Sequence, residues 1–272
     1  MKFSMTTLIG IAAAVGLCLF AIATNTDNYV MFWSVSSLAM VGGGTLAASF
    51  IAYQERYVIR ALKEVLNILV PATVSPKSLF ADVERLISWA NVIRSEGMSG
   101  AEKSLAEDAG KDTFLALGLR LLLTNYRADK LRAMLNNMLN SEYGRTNVQV
   151  DILNNMGSVS PAFGMVGTLV GLVIMLEKMS GDVSQLGIGM AVAMLTTLYG
   201  VLFAQIIFKP AALKLQQKNE MLRFRNQLLV EGLVLLSEGA NPGQIEDALN
   251  SFLDPKLYFD IADRPDSAGE DE

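Results

Sequence analysis

Hydroxyl side chains inside two long apolar stretches are the first residues in the sequence that could do chemistry. Ser160 and Thr168 belong to one stretch, and Thr196 and Thr197 belong to the other. Hydroxyl oxygens are suitable ligands for a partly dehydrated hard cation, so these side chains could line a polar path. A threonine in an apolar helix also commonly donates to the backbone carbonyl one turn earlier, and spacing alone does not decide between the two roles.

The stretch that contains Ser160 is also rich in small residues. Gly164, Gly167 and Gly171 recur at helical spacing on the face that carries Ser160. Such a face lets two helix backbones approach closely, because packing rather than hydrophobicity drives helix association in lipid. We assign Gly200, in the other stretch, the same packing role. Packing alone would explain an isolated Gly-xxx-Gly pair. Because hydroxyls lie on the same face, a polar path is the second interpretation of this stretch.

Composition excludes most catalytic chemistry. The 272 residues include no histidine and one cysteine, Cys18, so imidazole metal sites, histidine triads and internal disulfides are excluded. The net charge of -5 offers no basic face for nucleic acid. We therefore expect no enzymatic activity, no resident metal or cofactor, and no nucleic-acid partner.

Four uncharged stretches predict four membrane-spanning helices. They run over 3–26, 29–54, 152–176 and 183–208. Each exceeds the roughly 20 residues that a helix needs to cross the hydrocarbon core of a bilayer. Lipid offers a backbone no other hydrogen-bond partners, so helices are the natural form. The linkers between the first and second spans and between the third and fourth are short, so the spans pair as two hairpins.

None of the four stretches contains Asp, Glu, Lys, Arg or His. An ion-driven machine normally needs an ionisable group within the membrane, where such residues are costly and usually functional. If this chain moves ions, the carboxylate must therefore come from another chain.

The basic residues predict the orientation in the membrane. Of 22 Lys and Arg, only Lys178 lies in a linker opposite the large hydrophilic segments. The positive-inside bias therefore puts both termini in the cytoplasm. The predicted organisation is an all-α integral membrane protein with five parts: a hairpin (1–54), a helical cytoplasmic domain (55–152), a hairpin with the ion path (153–210), a helical cytoplasmic extension (211–260) and a disordered acidic tail (261–272). Within the cytoplasmic domain, Phe114, Leu117 and Leu121 show helical apolar spacing.

The fourth stretch carries a motif that resembles the signature of the MotA/PomA family of flagellar stator subunits, which belongs with the MotA/TolQ/ExbB proton channels. It runs Ala-Met-Leu-Thr-Thr-Leu-Tyr-Gly from Ala193 to Gly200, with Pro210 ten residues later. The segment 161–171, Pro-Ala-Phe-Gly-Met-Val-Gly-Thr-Leu-Val-Gly, is similar to the family's equivalent segment. Hairpin, cytoplasmic domain and second hairpin also occur in the family's order, so the resemblance covers nearly the whole chain.

The resemblance implies a pentamer of this subunit around two copies of a MotB- or PomB-like single-span partner in the bacterial inner membrane. The partner would be anchored to peptidoglycan, and its aspartate would bind and release the driving ion beside the third and fourth spans. The cytoplasmic domain would then push the rotor's switch protein. Pro161 and Pro210 match prolines that the family uses in coupling, and a proline frees a backbone carbonyl and permits a kink.

Arg94 and Glu102 look like the family's rotor-facing charged pair. On a continuous helix they would lie about two turns apart on broadly one side. A solvated charged face is the other interpretation, since exposed ion pairs are common and weak. Ser95 replaces a lysine found in some members, and Gly97 weakens the helical pattern between the two charges.

The resemblance also bears on the ion. Proton-driven members tend to have alanine where sodium-driven members have the threonine that matches Thr168. With Thr168 and Thr197, this chain is closer to PomA, which favours sodium over the proton. A hydroxyl oxygen can replace part of the water shell of sodium, and a proton relay does not require this.

Two other functions stay open. One is a non-flagellar ion-driven motor of the MotA, ExbB or TolQ kind, although the initial hairpin differs from the three-span arrangement of ExbB and TolQ. The other is a membrane scaffold without ion flux, which would leave the motif from Ala193 to Pro210 unexplained.

Overall fold

The computed structural model describes residues 5–67, 74–109, 112–177 and 183–253. Its helices are α1 (Met5–Ala23), α2 (Val35–Ala52), α3 (Glu55–Asn67), α4 (Pro76–Ala109), α5 (Thr113–Leu123), α6 (Ala128–Glu177), α7 (Val183–Leu202), α8 (Lys209–Ser237) and α9 (Pro242–Asn250). A 3-10 turn at Tyr29–Phe32 precedes α2, and a π-helical segment at Phe203–Phe208 joins α7 to α8. No β-strand occurs within the described ranges, so the prediction of an all-α fold is confirmed there.

Three of the described helical segments are long and apolar enough to cross a membrane. They are Tyr29–Ala52, Ala128–Glu177 and Leu186–Ser237. The first helix, α1, is also apolar, and its 19 residues give a length of about 28 Å. The arrangement of four spans as two hairpins stays a prediction. Lys178 and the predicted tail over 261–272 lie outside the described residues.

The described residues form two compact units. The first unit contains 5–67, 146–177 and 183–217, and the second contains 74–109, 112–145 and 218–253. Both α6 and α8 contribute residues to each unit, because each helix runs through a boundary between them.

In the first unit, α2 is packed along a line of small polar residues. Ser37, Thr45 and Ser49 are fully buried or nearly so, and they recur with Val41 at a spacing of four residues. Thr45 donates to the Val41 carbonyl at 2.7 Å, and its hydroxyl lies 3.1 Å from that of Ser160 on α6. Small hydroxyl residues allow close packing and satisfy each other across helices in lipid, so this line fixes α2 against α6.

The second unit has a leucine-rich core that joins α4, α5, α9 and the parts of α6 and α8 within it. Its fully buried members include Leu86, Trp89, Leu115, Leu131, Leu135, Leu228, Leu233 and Ile245. The predicted face of α5 is partly wrong, because Leu117 is 40% exposed while Leu115, Leu119 and Leu122 are buried. Leucines occupy most positions of α5, so apolar spacing alone did not single out the buried face.

One largely buried arginine joins three elements of the second unit. Arg225 on α8 binds the carboxylate of Asp82 on α4 through two nitrogens, at 2.5 and 3.0 Å, and Asp112 at 2.7 Å. Asp112 is the N-cap of α5 and accepts the amides of Phe114 and Leu115 at 3.0 and 3.1 Å. A planar guanidinium suits this task because its donors form a fixed fork.

We expect Arg225→Met to destabilise the chain by about 3 kcal/mol, because the change removes the cation shared by two largely buried carboxylates and leaves Asp82 only the longer, 3.4 Å contact with the partly exposed Arg85. The side chains of Asp82 and Asp112 are only 5% and 24% exposed. The matched control is Arg132→Met, which breaks the pair with Glu231. The Arg132 side chain is 42% exposed, so solvent screening should keep that cost below about 1 kcal/mol. Thermal unfolding of the purified full-length chain measures both, and equal losses would contradict this account.

The stability of the second unit should fall in acid through Asp112. Burial alone would raise the pKa of the Asp112 carboxyl, but hydrogen bonds from the Leu115 amide, Arg225 and the Phe114 amide outweigh burial, so its pKa lies below the ordinary value. A lowered folded-state pKa gives stability that is present above the unfolded pKa of about 3.9 and is lost as pH falls through the folded value.

Asp112→Asn should therefore reduce stability at neutral pH and weaken its decline between about pH 5 and pH 3. Thermal midpoints across this range measure the effect. Asp129→Asn, at an exposed position in the first turn of α6, is the control. A wild-type chain and an Asp112→Asn chain with parallel pH profiles would show that Asp112 does not carry the linkage.

Candidate ion path

Thr168 and Thr197 face each other across the contact between α6 and α7. Their hydroxyl oxygens are 2.6 Å apart, a hydrogen-bond distance. The Thr168 hydroxyl can donate its one hydrogen to the Gly164 carbonyl at 3.0 Å, to the Ala193 carbonyl at 3.3 Å or to Thr197, and the Thr197 hydroxyl lies 3.5 Å from the Gly164 carbonyl. The structure thus places two hydroxyl and two carbonyl oxygens close together. We call Thr168 and Thr197 the hydroxyl pair.

The hydroxyl pair lies at an accessible edge of the two helices. Thr197 is exposed and Thr168 is half-buried. Met165 on α6 and Met194 and Val201 on α7, each within about one turn of the pair, are exposed as well. An exposed apolar face in a membrane protein contacts lipid or another helix. The pair is therefore positioned where a further helix could reach it.

The other two predicted hydroxyls lie inside the helix contact. Thr196 is buried and donates to the carbonyls of Val192 and Ala193 at 3.0 and 2.9 Å. Ser160 is buried too and donates to the Met156 carbonyl at 2.9 Å, next to Thr45. Both make the bond to a preceding turn that a structural hydroxyl makes. Ser160 lies apart from the hydroxyl pair, whereas Thr196 shares the Ala193 carbonyl with Thr168 from its buried side.

Glycines allow the close approach of α6 and α7. A Cβ atom built on Gly171 would lie 2.7 Å from the amide nitrogen of Ala193, and one on Gly167 would lie 2.5 Å from the Thr196 side chain. A Cβ on Gly164 or Gly200 would lie 3.0 or 2.8 Å from backbone oxygens of the facing helix. All four glycines that were assigned to packing therefore lie in this contact.

The two prolines interrupt the backbone hydrogen bonds of α6 and of the passage from α7 to α8. Pro161 lies within α6, and its ring nitrogen cannot donate to the carbonyl of Gly157. Pro210 follows the π-helical segment, where the Lys209 amide donates to the Ala204 carbonyl five residues earlier. A Cβ on Gly157 would lie 2.9 Å from Cγ of Lys209, so the two interruptions lie against each other. The sequence analysis did not predict the π-helical segment, although π-bulges often accompany functional sites.

Arg94 and Glu102 are both exposed but do not share a helical face. Gly97 adopts φ 74° and ψ 167°, so α4 is interrupted between them. The expectation of two turns of continuous helix is therefore wrong, because a left-handed φ that glycine permits breaks the helical register. Arg94 lines a cleft with Ile93 and Gly239, whereas Glu102 lines another.

Comparison with known proteins places these features in a family. The sequence model of the MotA/TolQ/ExbB proton channel family matches residues 106–228. Motility protein A of Aquifex aeolicus is 31% identical over 94% of this chain and 98% of its own length. Chemotaxis protein PomA of Vibrio alginolyticus is 29% identical over 92% of this chain and 95% of its own length.

This chain belongs to the MotA/TolQ/ExbB family. Its fold is that of a solved C. jejuni MotAB structure, with a TM-score of 0.82, 21% identity, and coverage of 96% of this chain and 98% of the other. The flagellar MotAB stator complex from Bacillus subtilis gives a TM-score of 0.79 at 22% identity, with coverage of 94% and 97%.

Family membership establishes the class of protein. Members are ion-channel and stator subunits, so this chain is not an enzyme. Its family and its apolar helices make it a membrane protein. Relatives named motility protein A are 25% to 31% identical to this chain and PomA is 29% identical, so identity does not rank the chain closer to PomA.

We expect Gly171→Ala and Gly200→Ala to separate α6 from α7, because the added methyl groups would meet backbone atoms that cannot move aside. The expected loss is about 2 kcal/mol, typical of overpacking. Gly43→Ala on α2 is the control, since a Cβ there has no atom within 4 Å and alanine favours a helix. Thermal unfolding of the purified chain measures all three, and a stable Gly171→Ala variant would refute the close contact.

Proposed function

We propose that this chain is the ion-channel subunit of a bacterial flagellar stator, in which the driving ion passes the hydroxyl pair of α6 and α7. The observation that carries the proposal is the position of Thr168 and Thr197 at an accessible edge of two stretches that contain no acidic or basic residue. Neutral oxygens can replace part of an ion's hydration shell, but they do not neutralise its charge in a membrane.

Because the four apolar stretches contain no charged residue, the carboxylate that binds the ion would come from a partner chain. A MotB- or PomB-like single-span subunit, anchored to peptidoglycan, would bring its aspartate to the exposed side of the hydroxyl pair. Relatives named motility protein A and PomA support this assignment, as do the two solved MotAB structures with this fold. In the proposed assembly, five copies of this chain surround two partner chains in the bacterial inner membrane.

The four-span topology belongs to the same proposal. The apolar helix α1 and the three longer segments would form two hairpins, with both termini in the cytoplasm. The basic residues that follow the second and fourth stretches support this orientation through the positive-inside bias. The cytoplasmic domain would then reach the rotor's switch protein through exposed charges such as Arg94 and Glu102.

The set of four oxygens favours sodium as the driving ion. The Thr168 hydroxyl lies 2.6 Å from the Thr197 hydroxyl and 3.0 and 3.3 Å from the carbonyls of Gly164 and Ala193, and the Thr197 hydroxyl lies 3.5 Å from the Gly164 carbonyl. Sodium could exchange part of its water shell for such oxygens, with the partner's carboxylate supplying the charge. A proton would bind the carboxylate directly and would need no comparable set, so proton drive is the alternative.

The π-helical segment and the prolines offer a route from ion binding to torque. Pro161 and Pro210 each leave a backbone carbonyl without its usual donor, and π-helical bonding surrounds the second site. Helices bend at such points at low cost. We propose that ion binding at the hydroxyl pair alters the bend of α6 and α8 and so moves the cytoplasmic domain.

The test is the swimming speed of a flagellated host that lacks its own stator, with this chain and its partner expressed, against sodium concentration at fixed pH. Thr168→Ala should raise the half-saturating sodium concentration about tenfold or abolish swimming, whereas Thr168→Ser, which keeps the hydroxyl, should stay near wild type. Thr24→Ala is the control, because Thr24 is exposed at the end of α1 and donates to the Phe20 carbonyl.

Each result has a definite meaning for the proposal. Sodium-dependent swimming that fails in Thr168→Ala but not in Thr168→Ser supports the sodium path. A swimming speed that does not depend on sodium concentration agrees with the stator assignment but contradicts sodium as the driving ion. A stable membrane assembly that never restores swimming with any MotB-like partner contradicts the flagellar assignment and favours a non-flagellar motor or a scaffold.

A further inference from the structure

Tyr199 connects α7 to the turn before α2 through both functions of its hydroxyl. The hydroxyl donates to the backbone oxygen of Phe32 and accepts from the backbone amide of Ser34 at 3.1 Å. The side chain is buried in a small cluster with Val41 and Leu195. A phenol has one hydrogen to donate and lone pairs to accept with, so this contact uses both.

The two backbone groups that Tyr199 satisfies lie at helix ends. Phe32 is the last residue of the 3-10 turn, and Ser34 is the N-cap of α2, where its own Oγ accepts the Ser37 amide at 3.3 Å. Groups at helix ends lie outside the regular ladder of hydrogen bonds. Phe32 and Ser34 are half-buried beside the buried Tyr199 ring, so leaving these groups unpaired is costly.

Tyr199 and Thr197 hold α7 from opposite sides. They are two residues apart, which is about 200° around a helix. Thr197 faces Thr168 on α6, while Tyr199 reaches the beginning of α2. Rotation of α7 about its own axis would therefore disturb both contacts together. Since α2 is itself fixed to α6 through Thr45 and Ser160, the three helices form a closed set of contacts.

We propose that Tyr199 is a positioning residue of the ion path. Its hydroxyl fixes the rotation of α7 against the beginning of α2, and thereby sets where Thr197 stands relative to Thr168. Tyr199 touches neither the hydroxyl pair nor the accessible edge, so its effect on the ion is indirect. This inference rests on the proposed function, because an ion path must exist for Thr197 to need positioning.

A conservative substitution can remove the two hydrogen bonds of Tyr199 without removing its ring. Phenylalanine would fill the same space and keep the contacts with Val41 and Leu195 while removing only the hydroxyl. Tyr199→Phe is therefore a conservative test of the two hydrogen bonds.

The experiment compares swimming speed against ion concentration for wild type, Tyr199→Phe and Tyr53→Phe, in the stator-less host with the partner expressed. Sodium at fixed pH is the variable, or pH at fixed sodium if wild type responds to pH instead. Tyr53→Phe is the matched control, because Tyr53 only accepts a long hydrogen bond of 3.5 Å from Asn155. The amount of each variant in the membrane is measured alongside.

Tyr199→Phe should raise the half-saturating ion concentration about threefold or more, with the amount of protein in the membrane unchanged. Tyr53→Phe should not. A purely structural role would lower the amount of assembled protein and the maximum speed but leave the half-saturating concentration where it is, and that result would overturn the inference. Failure of wild type to restore swimming would instead overturn the proposed function, and this inference with it.

Amide hydrogen exchange on the purified complex decides the case in which Tyr199→Phe gives no swimming at any ion concentration. Faster exchange both at residues 29–38 and at 193–200 supports the inference, because loss of the hydroxyl has then loosened α7 as well as the turn before α2. Faster exchange at 29–38 alone overturns it, since the hydroxyl then serves only the turn.

Discussion

The close contact between the backbones of α6 and α7 is the constraint on which the candidate ion path depends. At Gly164, Gly167, Gly171 and Gly200 a single methyl group would meet atoms of the facing helix at 3.0 Å or less. Only at this separation do the hydroxyls of Thr168 and Thr197 come within 2.6 Å of each other. In lipid, such packing replaces the hydrophobic effect as the source of association, so glycine contributes stability here that it would not contribute in water. The same approach buries Thr196, which leaves the accessible edge to the other two threonines.

The polar side chains of this chain are distributed according to the free-energy cost of placing them in a membrane. The polar side chains inside the apolar stretches are hydroxyls, which can donate to a carbonyl of their own helix, and a few amides. Charged residues occur only in the segments outside these stretches. The cluster of Arg225, Asp82 and Asp112 lies in the second unit, where a fixed guanidinium and the amides at the beginning of α5 compensate two carboxylates. A chain arranged in this way can guide an ion but leaves the charge that binds it to a partner.

Local patterns in the sequence predicted the apolar helices and the glycine contact, because each depends on residue type and helical spacing. The same patterns selected four hydroxyls but did not separate Thr168 and Thr197, which face each other, from Ser160 and Thr196, which are buried in the helix contact. They did not predict which face of α5 is buried, because leucines lie on all sides of that helix. They placed Arg94 and Glu102 on one helix, but Gly97 takes a φ of 74° that only the fold reveals. The contact of Tyr199 with Phe32 and Ser34 spans more than 160 residues of chain and so leaves no local signal. Ser37, Thr45 and Ser49 do carry a local signal, because their spacing in multiples of four places them on one face of α2.

The central claim is that this chain provides a neutral half of a channel whose charge is on another subunit. Ion flux into sealed vesicles that contain the purified chain alone, or the chain with a MotB-like partner, measures that claim directly. We predict no flux above empty vesicles for the chain alone, flux with the partner freed to conduct, and loss of that flux when the partner's membrane aspartate is changed to asparagine. Flux through the chain alone, or flux that survives the change of aspartate, would contradict the claim.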